Sequence, residues 1–99
     1  MAIGPQVFPS IPATGNSRLN ITTATVVKAA PGFVGTVTVV VAGSAHGAIG
    51  DALTTGAVSA ANTIAYLPTT AGTYAINFPA HVGIAVVPGT GQTLSVSFA

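Results

Sequence analysis

Charged side chains are almost absent from this chain, and this constrains its fold and its state more than any motif does. The ionised side chains are Arg18, Lys28 and Asp51, in a chain of 99 residues. Ordinary soluble domains carry about 25% charged residues, which keep neighbouring molecules apart. Alanine, valine, threonine and glycine stand where lysine and glutamate usually would. The composition therefore predicts a subunit whose outer surface is covered by copies of itself or by a larger assembly.

The length and composition limit the chain to one small domain and exclude several kinds of partner. A domain of about 100 residues buries about 60–65% of its unfolded surface, so one modest core is expected. A net charge of +1 and six aromatic residues without tryptophan provide neither a basic patch nor a stacking platform for nucleic acid. The chain has no cysteine. Disulfides, zinc–thiolate sites and thiol nucleophiles are therefore excluded.

Membrane insertion and secretion are not expected either. The mean hydropathy is high, at +0.75. However, the longest apolar run, residues 37–43, is far shorter than the about 20 residues of a spanning helix. The first twenty residues contain three prolines and no lysine or arginine before position 18, which does not match a secretory signal. We expect the protein to stay in the compartment where it is made, or to leave it inside a particle.

Residues 1–20 differ from the rest of the chain and are predicted to form an extended arm. Prolines at positions 5, 9 and 12 remove backbone donors and favour extended geometry in the residues before them. Apolar residues occur between the prolines without the periodicity of a helix or strand. Such an arm is expected to lie on a neighbouring molecule, with contacts made by Ile3, Val7, Phe8, Ile11 and Arg18.

Residues 21–99 are predicted to be a single all-β domain. Short segments rich in valine, isoleucine and threonine alternate with turns, which is typical of a small antiparallel β-sandwich or jelly-roll-like barrel of about 6–8 strands. Residues 43–61 fit a loop, a short helix at 57–61 or a strand near 49–53, and a strand within a longer loop is favoured. Other strands are expected at 21–28, 33–41, 63–67, 73–78, 83–87 and 93–98, the first two forming a hairpin around Pro31 and Gly32.

Alternation along these strands predicts which side chains form the core. In an antiparallel strand, every second residue points to the same face of the sheet. The residues left on the other face are mainly threonine, serine, alanine and valine, which can pack against another sheet without desolvating a charge. The predicted core consists of Val37, Val39, Val41, Ile76, Phe78, Leu94, Val96 and Phe98.

No catalytic, cofactor-binding or metal site is predicted, and the protein is not expected to be an enzyme. A nucleophile, base and carboxylate can be named in Ser44, His46 and Asp51, but they share one glycine-rich stretch without a nucleophile elbow. Two histidines and a carboxylate can form a metal triad, here His46, His81 and Asp51, yet nothing in their spacing requires it. For both sets we favour the interpretation that these residues have structural roles, in loops or at the boundary of a strand.

The single carboxylate, Asp51, has two further interpretations. It can cap backbone donors in a turn, which we favour, or pair with Arg18 or Lys28 across a subunit interface. An interface ion pair adds little free energy unless it is buried with full hydrogen bonding.

Three stretches of the chain resemble small structural proteins encoded among the virion genes of tailed bacteriophages. They are residues 20–28 (NITTATVVK), 54–57 (TTGA) and 84–93 (IAVVPGTGQT). The resemblance covers residues 20–99 and contains no catalytic signature. It implies a capsid decoration or cement protein, or the base of a head fibre. On this basis we expect a homo-oligomer, a trimer at the threefold points of the head lattice, with the major capsid protein as partner. The protein would be made in the host cytoplasm and located on the capsid surface of the virion.

Two alternatives remain open. One is a fibre or lectin-like module that binds host surface glycan, for which the available residues are Tyr66, Tyr74, Asn62, Asn77 and Gln92. The other is a tail or adaptor subunit, which would be distinguished from a head decoration protein by the symmetry of its ring and not by its sequence.

Overall fold

Eight β-strands account for most of the chain that the structure, a computed structural model, describes, namely residues 15–99. The predicted arm contacts Ile3, Val7, Phe8 and Ile11 lie outside the described residues. One short 3₁₀ helix, Thr55–Ala57, lies between the fourth and fifth strands. The strands are β1 (Asn16–Ile21), β2 (Thr25–Lys28), β3 (Gly32–Val41), β4 (Gly47–Gly50), β5 (Thr63–Leu67), β6 (Gly72–Ala80), β7 (Ile84–Val87) and β8 (Thr93–Phe98).

The strands form two four-stranded antiparallel sheets that pack against each other. Sheet 1 has the order β1-β8-β3-β6, and sheet 2 has the order β2-β7-β4-β5. The pairs are nested: β4 pairs with β5, β3 with β6, β2 with β7 and β1 with β8. The chain therefore folds back on itself like one long hairpin whose successive pairs alternate between the sheets, which is the arrangement of a jelly roll. The all-β prediction is confirmed.

The predicted hairpin between residues 21–28 and 33–41 is wrong. The strand β2 begins at Thr25 and pairs with β7 in sheet 2, whereas β3 pairs with β6 and β8 in sheet 1. The turn at Pro31 thus carries the chain from one sheet to the other. Alternation within a segment predicts a strand but does not say whether consecutive strands pair or cross between sheets.

The first strand lies partly within the predicted arm. It begins at Asn16 and pairs with β8 from Asn16 opposite Phe98 to Ile21 opposite Leu94. Its register shifts between Arg18 and Ile21, where Asn20 has a φ of 57°. This polar, irregular sequence gives little local signal for a strand, and its pairing partner is at the other end of the chain. The sandwich therefore begins before the predicted boundary at residue 20.

The segment between residues 43 and 61 contains the favoured short strand inside a longer loop. The strand β4 spans Gly47–Gly50, slightly earlier than the predicted strand near 49–53. The helical element of this segment is the 3₁₀ helix at Thr55–Ala57, and not the alternative helix at 57–61. The strands β5 and β8 have the predicted bounds. The strand β6 is longer than predicted, because it continues through Pro79 to Ala80 at the edge of sheet 1.

The core lies between the two sheets. Of the predicted core residues, Val37, Val39, Leu94 and Val96 are buried, while Ile76 and Phe98 are partly buried and pack against them. Both sheets contribute to this cluster, and further members were not among the predicted residues: Ile21, Val34, Ile49, Leu67, Ala80, Ile84 and Val86.

Two predicted core residues are exposed instead. Val41 is 50% exposed and Phe78 is 51% exposed. The register between β3 and β8 shifts between Val39 and Val41, so the inward alternation does not continue to the end of β3. Phe78 lies on an edge strand and follows Asn77, whose φ is 49°. Such irregularities interrupt the period-two pattern that the prediction assumed.

Candidate interaction surfaces

The Asp51 carboxylate caps the turn between β6 and β7. One oxygen, Oδ2, accepts a hydrogen bond from the His81 N–H at 2.9 Å. The other, Oδ1, accepts from the N–H groups of Val82 at 2.7 Å and Gly83 at 3.1 Å. The His81 N–H, together with those of Val82 and Gly83, holds the pKa of Asp51 below its usual value of 3.8, while partial burial opposes the shift. The turn-capping interpretation is therefore confirmed.

The structure does not assemble the hypothetical catalytic set. His46 and Asp51 flank opposite ends of β4, and a four-residue strand is about 13 Å long. The backbone N–H of Ser44 donates to the Thr90 carbonyl at 2.9 Å. The His46 ring packs edge-on against Tyr66, with the ring centroids 4.8 Å apart. Ser44, His46 and Asp51 therefore have separate structural environments.

The hypothetical metal set is not assembled either. His81 meets Asp51 through its backbone N–H, and His46 lies beside Tyr66. Within residues 15–99 no group of three or more histidine, aspartate or glutamate side chains could hold a metal ion.

Gln92 is a structural residue whose role sequence reasoning missed. It is a polar residue, yet it is only 1% exposed. Its Oε1 accepts a hydrogen bond from the Gly89 N–H at 3.1 Å, and its Nε2 donates to the Pro68 carbonyl at 2.9 Å. The side chain therefore joins the turn before β8 to the loop after β5. In the sequence, a glutamine in a glycine-rich turn looks like a residue that faces solvent, so no local signal distinguishes this role.

Most of the residues considered for glycan binding are occupied by internal contacts. The Asn62 side chain bonds to the backbone of Ser59 and Ala57, and the Tyr74 hydroxyl donates to the Thr70 carbonyl at 2.9 Å. Gln92 is buried and Asn77 lies in the irregular part of β6.

Tyr66 has no such internal bond from its hydroxyl within residues 15–99, and it is 58% exposed. It borders a shallow depression of about 240 Å³ on the outside of sheet 2, which Thr55, Ser59 and Thr63 also line. The structure thus leaves Tyr66, beside the His46 ring, as the exposed aromatic residue of this set, while the exposed Asn77 lies on the other sheet.

The outer side of sheet 1 presents a surface of hydroxyl groups that bond to one another. Thr36 Oγ1 and Ser97 Oγ are 2.9 Å apart, and Thr38 Oγ1 and Thr73 Oγ1 are 3.1 Å apart. Leu19 is 68% exposed beside this surface, above a shallow depression of about 140 Å³. We call this surface the hydroxyl face and define it by Ser17, Thr36, Thr38, Thr73, Ser95 and Ser97.

Arg18 is the predicted arm contact that the structure describes. It is exposed on β1, opposite Val96 of β8, close to the point where the described chain begins. Lys28 ends β2 at the edge of sheet 2.

Comparison of the chain with models of protein families, with curated proteins and with solved structures finds no match in any of the three. Among residues 15–99, no helix has the length and apolar character needed to cross a membrane.

Proposed function

We propose that this protein is a non-enzymatic structural component of a tailed-phage virion that decorates the head shell and reinforces it as a homo-oligomer. Its partners in this role are further copies of itself and the major capsid protein. The threefold points of a head lattice make a trimer the expected form. The proposed location is the capsid surface, after synthesis in the host cytoplasm.

The architecture is compatible with this class of function, but it is equally compatible with others. Jelly rolls occur in viral capsid proteins, in lectins and in cupins. A fold hosts many functions, so the choice among them must come from surfaces and sites. The separate environments of Ser44, His46 and Asp51 leave the catalytic hypothesis without an assembled site in the described residues.

The hydroxyl face is the observation that carries the proposal. Burying a polar group costs free energy unless it keeps a hydrogen-bond partner. On this face Thr36 pairs with Ser97 and Thr38 with Thr73, so four of the six hydroxyl groups already have a hydrogen-bond partner within the chain. Another protein can cover the surface without leaving them unpaired and without desolvating a charge. This is the property that a permanently covered subunit requires.

The proposed mechanism combines many modest contacts. Each copy would lay its hydroxyl face on the shell, while the proline-containing arm, with Ile3, Val7, Phe8 and Ile11 as anchors, lies on a neighbouring molecule. A stiff extended segment loses less conformational entropy on docking than a flexible linker does. Repetition over the shell converts weak individual contacts into strong overall attachment.

The test is binding of the purified protein to head shells that lack it, measured by co-sedimentation. We expect saturable binding of the wild-type protein. Thr36→Lys would force a charge into the covered hydroxyl face, and we expect a loss of affinity of about tenfold or more, because desolvating a charge is costly. Thr22→Lys adds the same charge in an exposed loop and serves as the matched control.

Three outcomes of that experiment contradict the proposal. Absence of wild-type binding removes the proposed partner, and unchanged binding by Thr36→Lys removes the hydroxyl face as the contact. Binding to purified tails instead of heads favours the tail or adaptor alternative. Removal of residues 1–14, which leaves β1 intact, tests the arm separately: shell affinity should fall while the β-type circular dichroism spectrum stays.

The glycan-binding alternative is less well supported. A sugar site needs several polar groups around an aromatic platform, and Asn62, Tyr74 and Gln92 use theirs internally. Of the residues considered for this role, Tyr66 is the aromatic side chain that remains exposed.

A further inference from the structure

Each sheet of the jelly roll ends in two edge strands whose outer backbone N–H and C=O groups face away from the sheet. Sheet 1 ends in β1 and β6, and sheet 2 ends in β2 and β5. Unpaired edges can pair with strands of other chains. Natural proteins protect them with charges, proline, bulges or very short strands. The four edges of this protein differ in these features.

Three of the edges are protected. The strand β1 has Arg18, followed by a register shift at which Asn20 adopts a φ of 57°. The strand β2 is only four residues long, has its own register shift and ends in Lys28. The strand β6 contains Pro79, which has no backbone N–H, and Asn77 with a φ of 49°. Each feature disfavours the addition of a strand.

The fourth edge, on β5, has the fewest of these features. Its sequence, Thr-Ile-Ala-Tyr-Leu, contains no charge and no proline, and none of its residues has a positive φ. Its one register shift against β4 falls near its start, and the pairing is regular from Ala65, opposite Ile49, to Leu67, opposite Gly47. Within residues 15–99, β5 pairs with β4 alone. The exposed Tyr66 side chain lies in the middle of this regular part.

We infer that the outer edge of β5 pairs antiparallel with β5 of a second copy about a twofold axis. The pairing joins the two copies of sheet 2 into one continuous sheet and satisfies the backbone groups of both edges. No like charges meet across the axis, because β5 has none. The inference rests on the self-association in the proposed function and identifies the surface that performs it.

The chain's own N-terminal segment is a poorer occupant of this edge. Prolines at positions 5, 9 and 12 leave residues 6–8 as the longest stretch between them. Proline lacks an N–H and is tolerated in an edge strand only where that position faces away from the neighbour, and positions 9 and 12 cannot both do so. A second copy of β5 has no such interruption.

The size of the contact determines its place in the assembly. Stable interfaces bury about 1,200 Å² or more in total, which is more than two short strands provide. The β5 contact therefore joins oligomers that other contacts have already formed. If those oligomers are trimers, it links pairs of them, and on a shell it connects neighbours across the twofold axes between them.

Engineered cysteines provide a direct test, because the chain has no cysteine of its own. A twofold axis perpendicular to the continuous sheet places one residue of β5 opposite its own copy. The β-carbons of such a pair are about 4.5–5.5 Å apart, near enough for a disulfide to form after a small adjustment. Full-length Ala65→Cys and Tyr66→Cys cover two adjacent positions of the regularly paired part of β5. Leu19→Cys, also exposed on an edge strand but one with protection, is the control.

Under mild oxidation we expect one of the two β5 variants to give several times more disulfide-linked dimer than Leu19→Cys. Equal yields from all three variants, or linkage at Leu19→Cys alone, would overturn the inference. The double variant Val7→Cys with Tyr66→Cys tests the other occupant. Linkage between positions 7 and 66 in place of linkage between two copies of position 66 would assign the edge to the N-terminal segment and also overturn the inference.

A charge variant separates this inference from the proposed function. Tyr66→Lys places like charges on both sides of the axis, so species larger than the basic oligomer should disappear in sedimentation, while isolated oligomers still bind head shells. Unchanged larger species contradict the β5 contact and leave shell binding intact. Conversely, β5 linkage in a protein that fails to bind shells retains the contact and rejects the proposed function.

Discussion

The Asp51 carboxylate and the Val82 backbone N–H are joined by a hydrogen bond of 2.7 Å that fixes the start of the long loop after β4 to the turn before β7. The two residues are distant in sequence, and the same carboxylate also accepts from His81 and Gly83. One side chain therefore closes an entire turn. The sole carboxylate of the chain is used to organise its backbone.

The first prediction concerns this cap and its pH dependence. Because the folded-state pKa of Asp51 is lowered, its stabilising contribution is fully present above the usual value of 3.8 and is lost as the pH falls through the folded-state pKa. Asp51→Asn should reduce the free energy of unfolding by about 1 kcal/mol at pH 7, a modest amount because solvent screens the partly exposed carboxylate. Urea titrations at a series of pH values measure this.

The wild-type and Asp51→Asn unfolding curves should approach each other below about pH 4, where the carboxyl group of the unfolded chain is protonated. A difference between the two proteins that stays constant down to pH 2 would contradict the cap.

The second prediction concerns Gln92. Gln92→Leu keeps the volume of the side chain but leaves the Gly89 N–H and the Pro68 carbonyl without their partner. Unsatisfied buried groups of this kind cost about 1–3 kcal/mol each. Because two groups lose their partner, we expect the free energy of unfolding to fall by at least about 1 kcal/mol, measured by denaturant titration. Thr90→Ala, at an exposed position of the same turn, should change it by less than about 0.5 kcal/mol. Equal effects of the two changes would refute the role of Gln92.

The third prediction separates the core from the exposed aromatic side chain that alternation assigned to it. Leu94 is fully buried, so Leu94→Ala should lower the free energy of unfolding by about 2–5 kcal/mol. Phe78 is 51% exposed, and Phe78→Ala should cost much less, about 1 kcal/mol. Thermal and chemical denaturation of both variants measure the difference. A larger effect at Phe78 than at Leu94 would show that the burial pattern of sheet 1 is incorrect.

The fourth prediction uses two glycines with opposite surroundings. A β-carbon at Gly89 would clash with the Ala45 carbonyl oxygen, which belongs to the backbone and cannot move aside like a flexible side chain. A β-carbon at Gly56 would meet nothing within 4 Å. Gly89→Ala should therefore destabilise the protein by about 1–3 kcal/mol, as overpacking does. Gly56→Ala should be neutral or slightly stabilising. Melting temperatures of the two variants provide the measurement, and a neutral Gly89→Ala would show that the two loops are not in contact.

Strand propensity predicted individual elements of this fold well, but it did not predict their partners. The strands β5 and β8 have the expected bounds because valine, isoleucine and threonine runs end at prolines or turns. The hairpin at Pro31 was wrong because a tight turn and a crossing between sheets look alike in sequence. The pairing of Asn16 with Phe98 depends on contacts across the whole chain, which local patterns do not contain.

The roles of side chains, too, could be predicted where they depend on local sequence and not where they depend on distant contacts. Turn capping by Asp51 could be anticipated, since a lone carboxylate among glycines has few other uses. The partners of that carboxylate, residues 81–83, could not, because they reach it only through the jelly-roll connection. Gln92 was misjudged because burial of a polar group depends on carbonyl and amide groups that tertiary structure brings to it. Val41 and Phe78 were misjudged because register shifts interrupt a pattern that is otherwise regular.

The nested pairing of strands also determines the order in which the strands can pair during synthesis. Among the eight strands of residues 15–99, β1 is synthesised before the others, yet it pairs with β8, which is synthesised after the others and separates β1 from β3 in sheet 1. A nascent chain can complete sheet 2 once β7 has emerged, but β1 must wait for residues 93–98. Until then its hydrogen-bonding groups stay open on a chain with few charges to discourage association. Pairing of β1 is therefore delayed until β8 has been made, and a chain that lacks residues 93–98 would leave β1 without its partner within residues 15–99.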